Sequence, residues 1–230
     1  MHSEQTLREA ICEIGRRVWR KNFVAATDGN ISVRLSADTF LCTPSRVSKG
    51  FMSPEDLVTA DASGHKLSGN GAVTSEFFTH LAAYKARPDV HAVVHAHPPR
   101  AIAASLAGLS LTEPVLPELL LTIGGIPTVP YATPATEDGG EAIRDVIRSC
   151  DALIIARHGT LTVGGDVFEA YHKLEKLEHA AEIILWASLL GPPDTLPEAE
   201  VEKLYRLQKM YNPGTRLFRP EKPSAGGRSE

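Results

Sequence analysis

The chain has 230 residues, 43% of them hydrophobic and 23% charged, a composition that supports one compact domain with a sizeable core. Its 24 basic and 28 acidic side chains leave a formal charge of -4, which argues against nucleic acid or an anionic membrane as a partner, because such footprints are basic. The longest apolar stretch, 180–190, is interrupted by Glu182 and falls short of the roughly 20 residues that a bilayer span needs.

Residues 4–21 carry apolar positions at Leu7, Ala10, Ile11, Ile14 and Val18, the 3–4 spacing of an amphipathic helix. Two short strands are expected at 30–34 and 39–43 around a turn at 36–38, and a third at 57–60 before a turn at 62–65. A helix over 76–86 stops ahead of Arg87-Pro88, as helices do before proline. A strand over 90–97 ends at Pro98-Pro99, and a helix follows to Leu106. Residues 114–134, rich in Pro and Gly, read as loop with short strands at the rims; 138–149 reads as helix and 152–157 as strand. Asp166 with Glu169 three residues on marks the start of a long helix, which Gly191-Pro192-Pro193 ends. A last helix covers about 197–210. The expected organisation is one domain over 1–212 and a flexible tail over 213–230. Met1-His2-Ser3-Glu4-Gln5 lacks the basic-then-apolar pattern of a signal peptide. Cys12, Cys42 and Cys150 are scattered and odd in number, which reads as reduced thiols in a cytoplasmic protein. The loose alternation of helices and strands leaves α/β and α+β both open at this point.

Chemistry concentrates on histidine. His95 and His97 close the apolar run that starts at Val90. In a strand, residues i and i+2 share a face, so the two rings can reach one metal ion. His158, just after the run 152–156, can join them from a neighbouring strand. Three imidazoles with an open fourth position form the layout of a catalytic site rather than a closed structural one. Thr74 and Ser75 precede the helix that begins near Glu76. They are either a simple N-cap or donors at an anion site on a positive helix end. Glu76 beside such a site, if near the metal, is a general-base candidate. His80, one helical turn on, either orients Glu76 or merely packs. Asp28-Gly29-Asn30 and Thr43-Pro44-Ser45 are turns by composition; Asn30 could donate to a substrate oxygen, and the second turn could contact phosphate.

Together these pieces resemble the class II sugar-phosphate aldolase and epimerase family, which includes adducin head domains and is typified by L-fuculose-1-phosphate aldolase and L-ribulose-5-phosphate 4-epimerase. The resemblance runs from about residue 7 to 211. It rests on Gly29-Asn30-Ile31-Ser32-Val33-Arg34, Thr43-Pro44-Ser45, Thr74-Ser75-Glu76, Ala82-Ala83-Tyr84 with Arg87-Pro88-Asp89, His95-Ala96-His97, Gly124-Gly125 with Pro130-Tyr131-Ala132-Thr133, and Arg157-His158-Gly159.

The resemblance implies an α/β three-layer fold with a mainly antiparallel central sheet flanked by helices, and a homotetramer with active sites between subunits. It implies a divalent metal, zinc with manganese or cobalt as alternatives, on His95, His97 and His158. Glu76 would bind the metal at rest and swing away as base. Asn30, Thr43, Thr74 and Ser75 would hold the substrate phosphate. Two departures stand out. Arg46 replaces the glycine that usually follows the Thr-Pro-x turn; a guanidinium there could join Ser45 in clamping phosphate or a carboxylate, or block the pocket. Glu118 stands where the fuculose-phosphate enzyme has a tyrosine that reaches a neighbouring subunit's site, whereas Tyr211 matches that enzyme's second tyrosine.

The implied activity is cleavage of a fuculose-1-phosphate-like ketose 1-phosphate to dihydroxyacetone phosphate and an aldehyde through a metal-stabilised enediolate. Glu76, Tyr211 and Glu118 would be the catalytic groups. Methylthioribulose-1-phosphate dehydratase and sugar-acid-phosphate decarboxylase are the alternatives on the same fold; 4-epimerase fits less well, because the epimerases carry aspartate in place of Glu76. An adducin-like binding module is the non-enzyme alternative, and the four retained ligands count against it.

Overall fold

Among the described residues, eight strands form one sheet because their apolar residues have two faces to bury. A computed structural model describes residues 3–220. Strands β1 (Asn30–Arg34), β2 (Thr39–Cys42), β3 (Val58–Asp61), β4 (Lys66–Ser68), β5 (Ala92–Ala96), β6 (Thr128–Val129), β7 (Ala152–Ile155) and β8 (Gly159–Gly164) lie in the order β4-β3-β2-β1-β5-β8-β7-β6. Every pairing is antiparallel except that of β6 with β7. The helices are α1 (Glu4–Arg20), α2 (Phe77–Ala86), α3 (Pro99–Leu106), α4 (Pro117–Thr122), α5 (Asp138–Ile143), α6 (Val167–Leu190) and α7 (Glu198–Tyr211). This is the mixed three-layer arrangement with a mainly antiparallel sheet.

Alternation along β5 sorts the layers. Ala92, Val94 and Ala96 pack with Ile11 and Ile14 of α1 and Leu174 of α6. Val93, on the opposite face, packs with Leu81 and Tyr84 of α2 and Ile143 of α5. His95 shares the Val93 face, so the sheet turns it toward the start of α2. A third cluster joins α3, α4 and the far half of α6 to Ala152 and Ile154. Among the described residues, no helix is long and apolar enough to cross a membrane.

Four features differ from the expected elements. β8 is a full strand between β5 and β7, so His158 sits in the tight turn between β7 and β8 rather than simply after one strand. The Thr residues of β8 disguise it: Thr160 donates to the Ala96 carbonyl and Thr162 to that of Ala170, which makes polar positions compatible with full burial. β4 has all three residues exposed, and its single apolar residue, Leu67, makes no pattern that marks a strand. Within the expected 114–134 loop, Pro117 opens the six-residue helix α4, a position where proline's missing N–H costs nothing. The expected helix at 138–149 stops at Ile143 and resumes as a single 3-10 turn, 146–148. The Arg87 guanidinium takes the carbonyls of Ile147 and Cys150 there. Residues 213–220 lie along the domain, where Gly125 donates to Phe218 and Arg216 to the Arg148 carbonyl. The rest of the segment expected to be flexible, 221–230, lies outside the described residues.

Candidate metal centre and adjoining cleft

The antiparallel register sets Asn30 of β1 directly opposite His95 of β5. His97, one residue past β5, is tied down by its own N–H donating to the Phe23 carbonyl. On the other side of β5, Ala96 pairs with Thr160 of β8, which draws the β7–β8 turn and His158 over the same spot. Gly159 makes the approach possible. A Cβ at that position would stand 2.5 Å from the Ala96 carbonyl oxygen and 2.7 Å from the His97 ring.

Glu76 comes from the opposite layer, at the residue before α2, and its side chain leaves the helix end uncapped. Its two carboxylate oxygens lie 3.2 Å from His95 Nε2 and 3.1 Å from His158 Nε2. His95 Nε2 is 3.0 Å from His97 Nε2. One ligand atom from each of the four residues falls within 4.8 Å of all the others. Two of the remaining ring nitrogens face an acceptor. His95 Nδ1 donates to the Thr160 carbonyl at 2.9 Å, and Asp28 stands 3.6 Å from His97 Nδ1. Such outer contacts fix the tautomer and leave an Nε2 lone pair for a cation. Three nitrogens and a carboxylate oxygen that converge in this way fit a divalent ion of the zinc, manganese or cobalt kind.

The electrostatics agree. Burial works against ionisation of Glu76, yet His95 and His158 outweigh it and hold the carboxyl well below its usual range. Burial and the two neighbouring imidazoles push His97 down to about 3, the neutral form that ligation requires.

Beside the cluster opens a cleft of about 400 Å³ lined in part by Asn30, Ser45, Arg46, Thr74, Ser75 and Glu76. The expected site residues therefore converge, with three qualifications. Thr43 is fully buried and its hydroxyl accepts the Ile31 N–H, so that side chain is spent on the β1–β2 pairing and does not line the cleft. Glu118 is exposed at the start of α4. Tyr211 is 73% exposed and borders a separate cleft with Arg87 and Asp89. Neither lies at the four-residue cluster of the same chain.

Lys49 also lines the cleft, and nothing in its local sequence marks it. Its ammonium donates to the carbonyls of Thr27 and Val47, a contact that exists only because two loops meet. Burial pushes it down to about 8, against the pull of Asp28.

Comparison with known proteins places this geometry in context. Residues 9–185 match the model of the class II aldolase and adducin N-terminal domain family. A protein of Cupriavidus necator named 3-oxo-tetronate 4-phosphate decarboxylase is 30% identical over 197 residues, which cover 84% of this chain and 89% of that one. An L-fuculose phosphate aldolase of Methanococcus maripaludis is 32% identical, over 74% of this chain and 92% of its own. The crystal structure of YgbL from Escherichia coli superposes with a TM-score of 0.80 at 30% identity, covering 88% of this chain and 99% of that one.

Proposed function

The chain belongs to the class II aldolase and adducin N-terminal domain family, and on that premise we propose that it is a divalent-metal-dependent lyase that cleaves a ketose 1-phosphate to dihydroxyacetone phosphate and an aldehyde. The observation that carries this reading is the position of Glu76. Its carboxylate bridges His95 and His158 at 3.2 and 3.1 Å and also borders the cleft. A base at the edge of a cation site is placed to handle a proton next to a polarised carbonyl. When bound on His95, His97 and His158, the cation, zinc in our proposal, would supply Lewis-acid neutralisation of charge that builds on the substrate carbonyl oxygen.

The remaining work falls to side chains. Thr74, Ser75, Ser45 and Arg46 surround the cleft with hydroxyls and a guanidinium, and in this reading they orient the phosphate. Such positioning is worth several kcal/mol of barrier, up to about 7–11 in ideal cases. In the cleavage direction the C3–C4 bond breaks, C4 becomes an aldehyde, and one proton passes in net from the C4 oxygen to C3. Glu76 serves C3. Tyr211 from a second copy of the chain serves the C4 oxygen, together with Glu118. The unit we propose is a cytoplasmic homotetramer with sites between subunits.

A second reading has its own support. The relative from Cupriavidus necator is named a 3-oxo-tetronate 4-phosphate decarboxylase, and Arg46 and Lys49 bring two basic side chains to one cleft. A substrate with a carboxylate as well as a phosphate would meet both. Loss of carbon dioxide and retro-aldol cleavage leave the same kind of charge beside the same carbonyl.

One experiment separates the two. Metal-loaded protein is incubated with a panel of ketose 1-phosphates, with dihydroxyacetone phosphate detected by a coupled assay, and in parallel with 3-oxo-acid 4-phosphates, with carbon dioxide detected. Dihydroxyacetone phosphate from the first panel supports the aldolase. Carbon dioxide alone replaces that reading with the decarboxylase. No product from either, from a protein that retains no stoichiometric metal after loading, leaves the adducin-like binding role.

A further inference from the structure

Behind Glu76 runs a file of polar side chains that the chemistry above does not use. The Tyr84 hydroxyl lies 2.8 Å from Ser32 Oγ, and Ser32 Oγ lies 2.6 Å from His80 Nδ1. His80 Nε2 lies 2.6 Å from Asn30 Oδ1, and Asn30 Nδ2 lies 2.9 Å from Glu76 Oε2. The four residues behind the carboxylate are at most 4% exposed, so water does not compete for these bonds.

The polarity of the file follows from what each group is able to do. An ionised carboxylate only accepts, so the Asn30 amide nitrogen faces Glu76 and its oxygen faces His80. A carbonyl oxygen only accepts, so the proton of His80 sits on Nε2. The Nδ1 lone pair of a neutral ring then takes the Ser32 hydroxyl proton, and Ser32 Oγ accepts from Tyr84. Every link donates toward the carboxylate. Burial pushes His80 down to about 3, consistent with a ring that stays neutral.

We propose that Tyr84, Ser32 and His80 act as positioning residues that lock the Asn30 amide in one orientation and, through it, hold the Glu76 carboxylate in the pose from which it works. Reversal of the Asn30 amide would set its oxygen against the carboxylate and turn attraction into repulsion. A locked amide also presents only N–H to the cluster, so Asn30 serves there as a donor and never as an acceptor. The inference rests on Glu76 as the proton-handling group.

The sequence shows why the parts meet. Ser32 and Asn30 are i+2 neighbours on β1 and share a face. His80 and Tyr84 are i+4 neighbours on α2, one turn above Glu76. Strand and helix pack with matched spacing, so donor and acceptor alternate between the two elements.

Three variants test the file. His80→Phe keeps a ring of similar shape but removes both nitrogens. Its kcat should fall about 100-fold, the scale of a misplaced catalytic group, while KM stays within about threefold and metal content is unchanged. His80→Gln returns an N–H near the Nε2 position and should recover most of that loss. Ser32→Ala frees the ring to change tautomer and should lower kcat with metal content unchanged, at a moderate loss of melting temperature, because the buried Tyr84 hydroxyl and His80 Nδ1 lose their partner. Folded, metal-loaded His80→Phe with native kcat would overturn the inference. So would a kcat loss that simply tracks metal loss, or one that His80→Gln fails to relieve.

A readout independent of turnover separates this inference from the function it builds on. A long-range 1H–15N spectrum of the protein should report His80 as the neutral Nε2–H tautomer, and Ser32→Ala should disturb it. An Nδ1–H ring in the parent reverses the file and sinks the inference, whatever the activity. If neither substrate panel is turned over while the Nε2–H tautomer is found, the proposed reaction fails and the hydrogen-bond file stands.

Discussion

Gly159 decides how closely the imidazoles gather. The atoms that a Cβ would meet include the Ala96 carbonyl oxygen, a β5 backbone atom fixed in the sheet, so the β7–β8 turn must give way instead. Gly159→Ala should therefore carry His158 away from His95 and His97. Overpacking of this kind costs about 1–3 kcal/mol. Metal affinity, measured by chelator competition, should fall about 5- to 150-fold on that scale, and His97→Ala should lose the metal outright. Native affinity in the alanine variant at position 159 would mean that the turn does not set the spacing. At this scale the sequence was legible where chemistry follows spacing. His95 and His97 at i and i+2 declare a shared face, and Glu76 ahead of a helix declares a carboxylate at its start. It was silent where a role depends on which hydroxyl is already spent. Thr43 and Thr74 look alike as letters, yet Thr43 accepts the Ile31 N–H while Thr74 lines the cleft. Lys49 is equally mute, because its partners are carbonyls from two loops.

Elements are joined by an ion network around Arg87, in which Arg87, Asp151 and Lys173 are buried and Asp89 is exposed. The guanidinium of Arg87, just past α2, donates to Asp89 and to Asp151, which also accepts from Lys173 of α6. The network ties α2, the start of β7 and α6 to the segment 144–150. Arg87 holds the Asp89 carboxyl down to about 2, against an ordinary 3.8. The sign is that of a depressed carboxylate: the folded state binds its proton less readily than the unfolded chain. The stabilisation from this pair is then complete above about pH 4 and is lost as pH falls through about 2. Melting temperatures taken from pH 5 to pH 2 should show an acid decline that Asp89→Asn makes shallower. An unchanged acid limb in that variant would remove Arg87–Asp89 as its source. Most helices and strands were readable from periodicity, since α1, α6 and β5 each bury a simple apolar pattern. β8 was not, because its threonines satisfy their hydroxyls on neighbouring carbonyls, and polarity in the sequence then says nothing about burial.

The whole molecule leaves the site short of two of its expected groups. Glu118 is exposed on α4, and Tyr211 sits beside Arg87 and Asp89 in a cleft of its own. Within one chain, neither lies at the Glu76–histidine cluster. Near Tyr211 in sequence, and at the end of α6, large apolar side chains face outward: Trp186 at 64% exposure, Leu189 at 75%, Leu190 at 94% and Met210 at 73%. Covering each is worth about 1.5–3 kcal/mol, a reason for copies of the chain to associate. If Tyr211 then serves the cluster of a neighbour, two dead proteins can rescue each other. Glu76→Gln alone should lose about 10²–10⁴-fold in turnover, the range of a general base, and Tyr211→Phe should also be impaired, with metal content intact in both. A site is native only when its Glu76 comes from the tyrosine variant and its Tyr211 from the glutamate variant. After subunit exchange in an equal mixture, about a quarter of the sites meet both conditions in a closed symmetric oligomer. Activity should rise toward that fraction as exchange proceeds, and light scattering should give a multiple of the 24.8 kDa chain mass. If the mixture never exceeds the average of its two components while mass measurements prove that subunits have exchanged, each chain works with its own residues, and the assignment of Tyr211 to a neighbour's site is wrong.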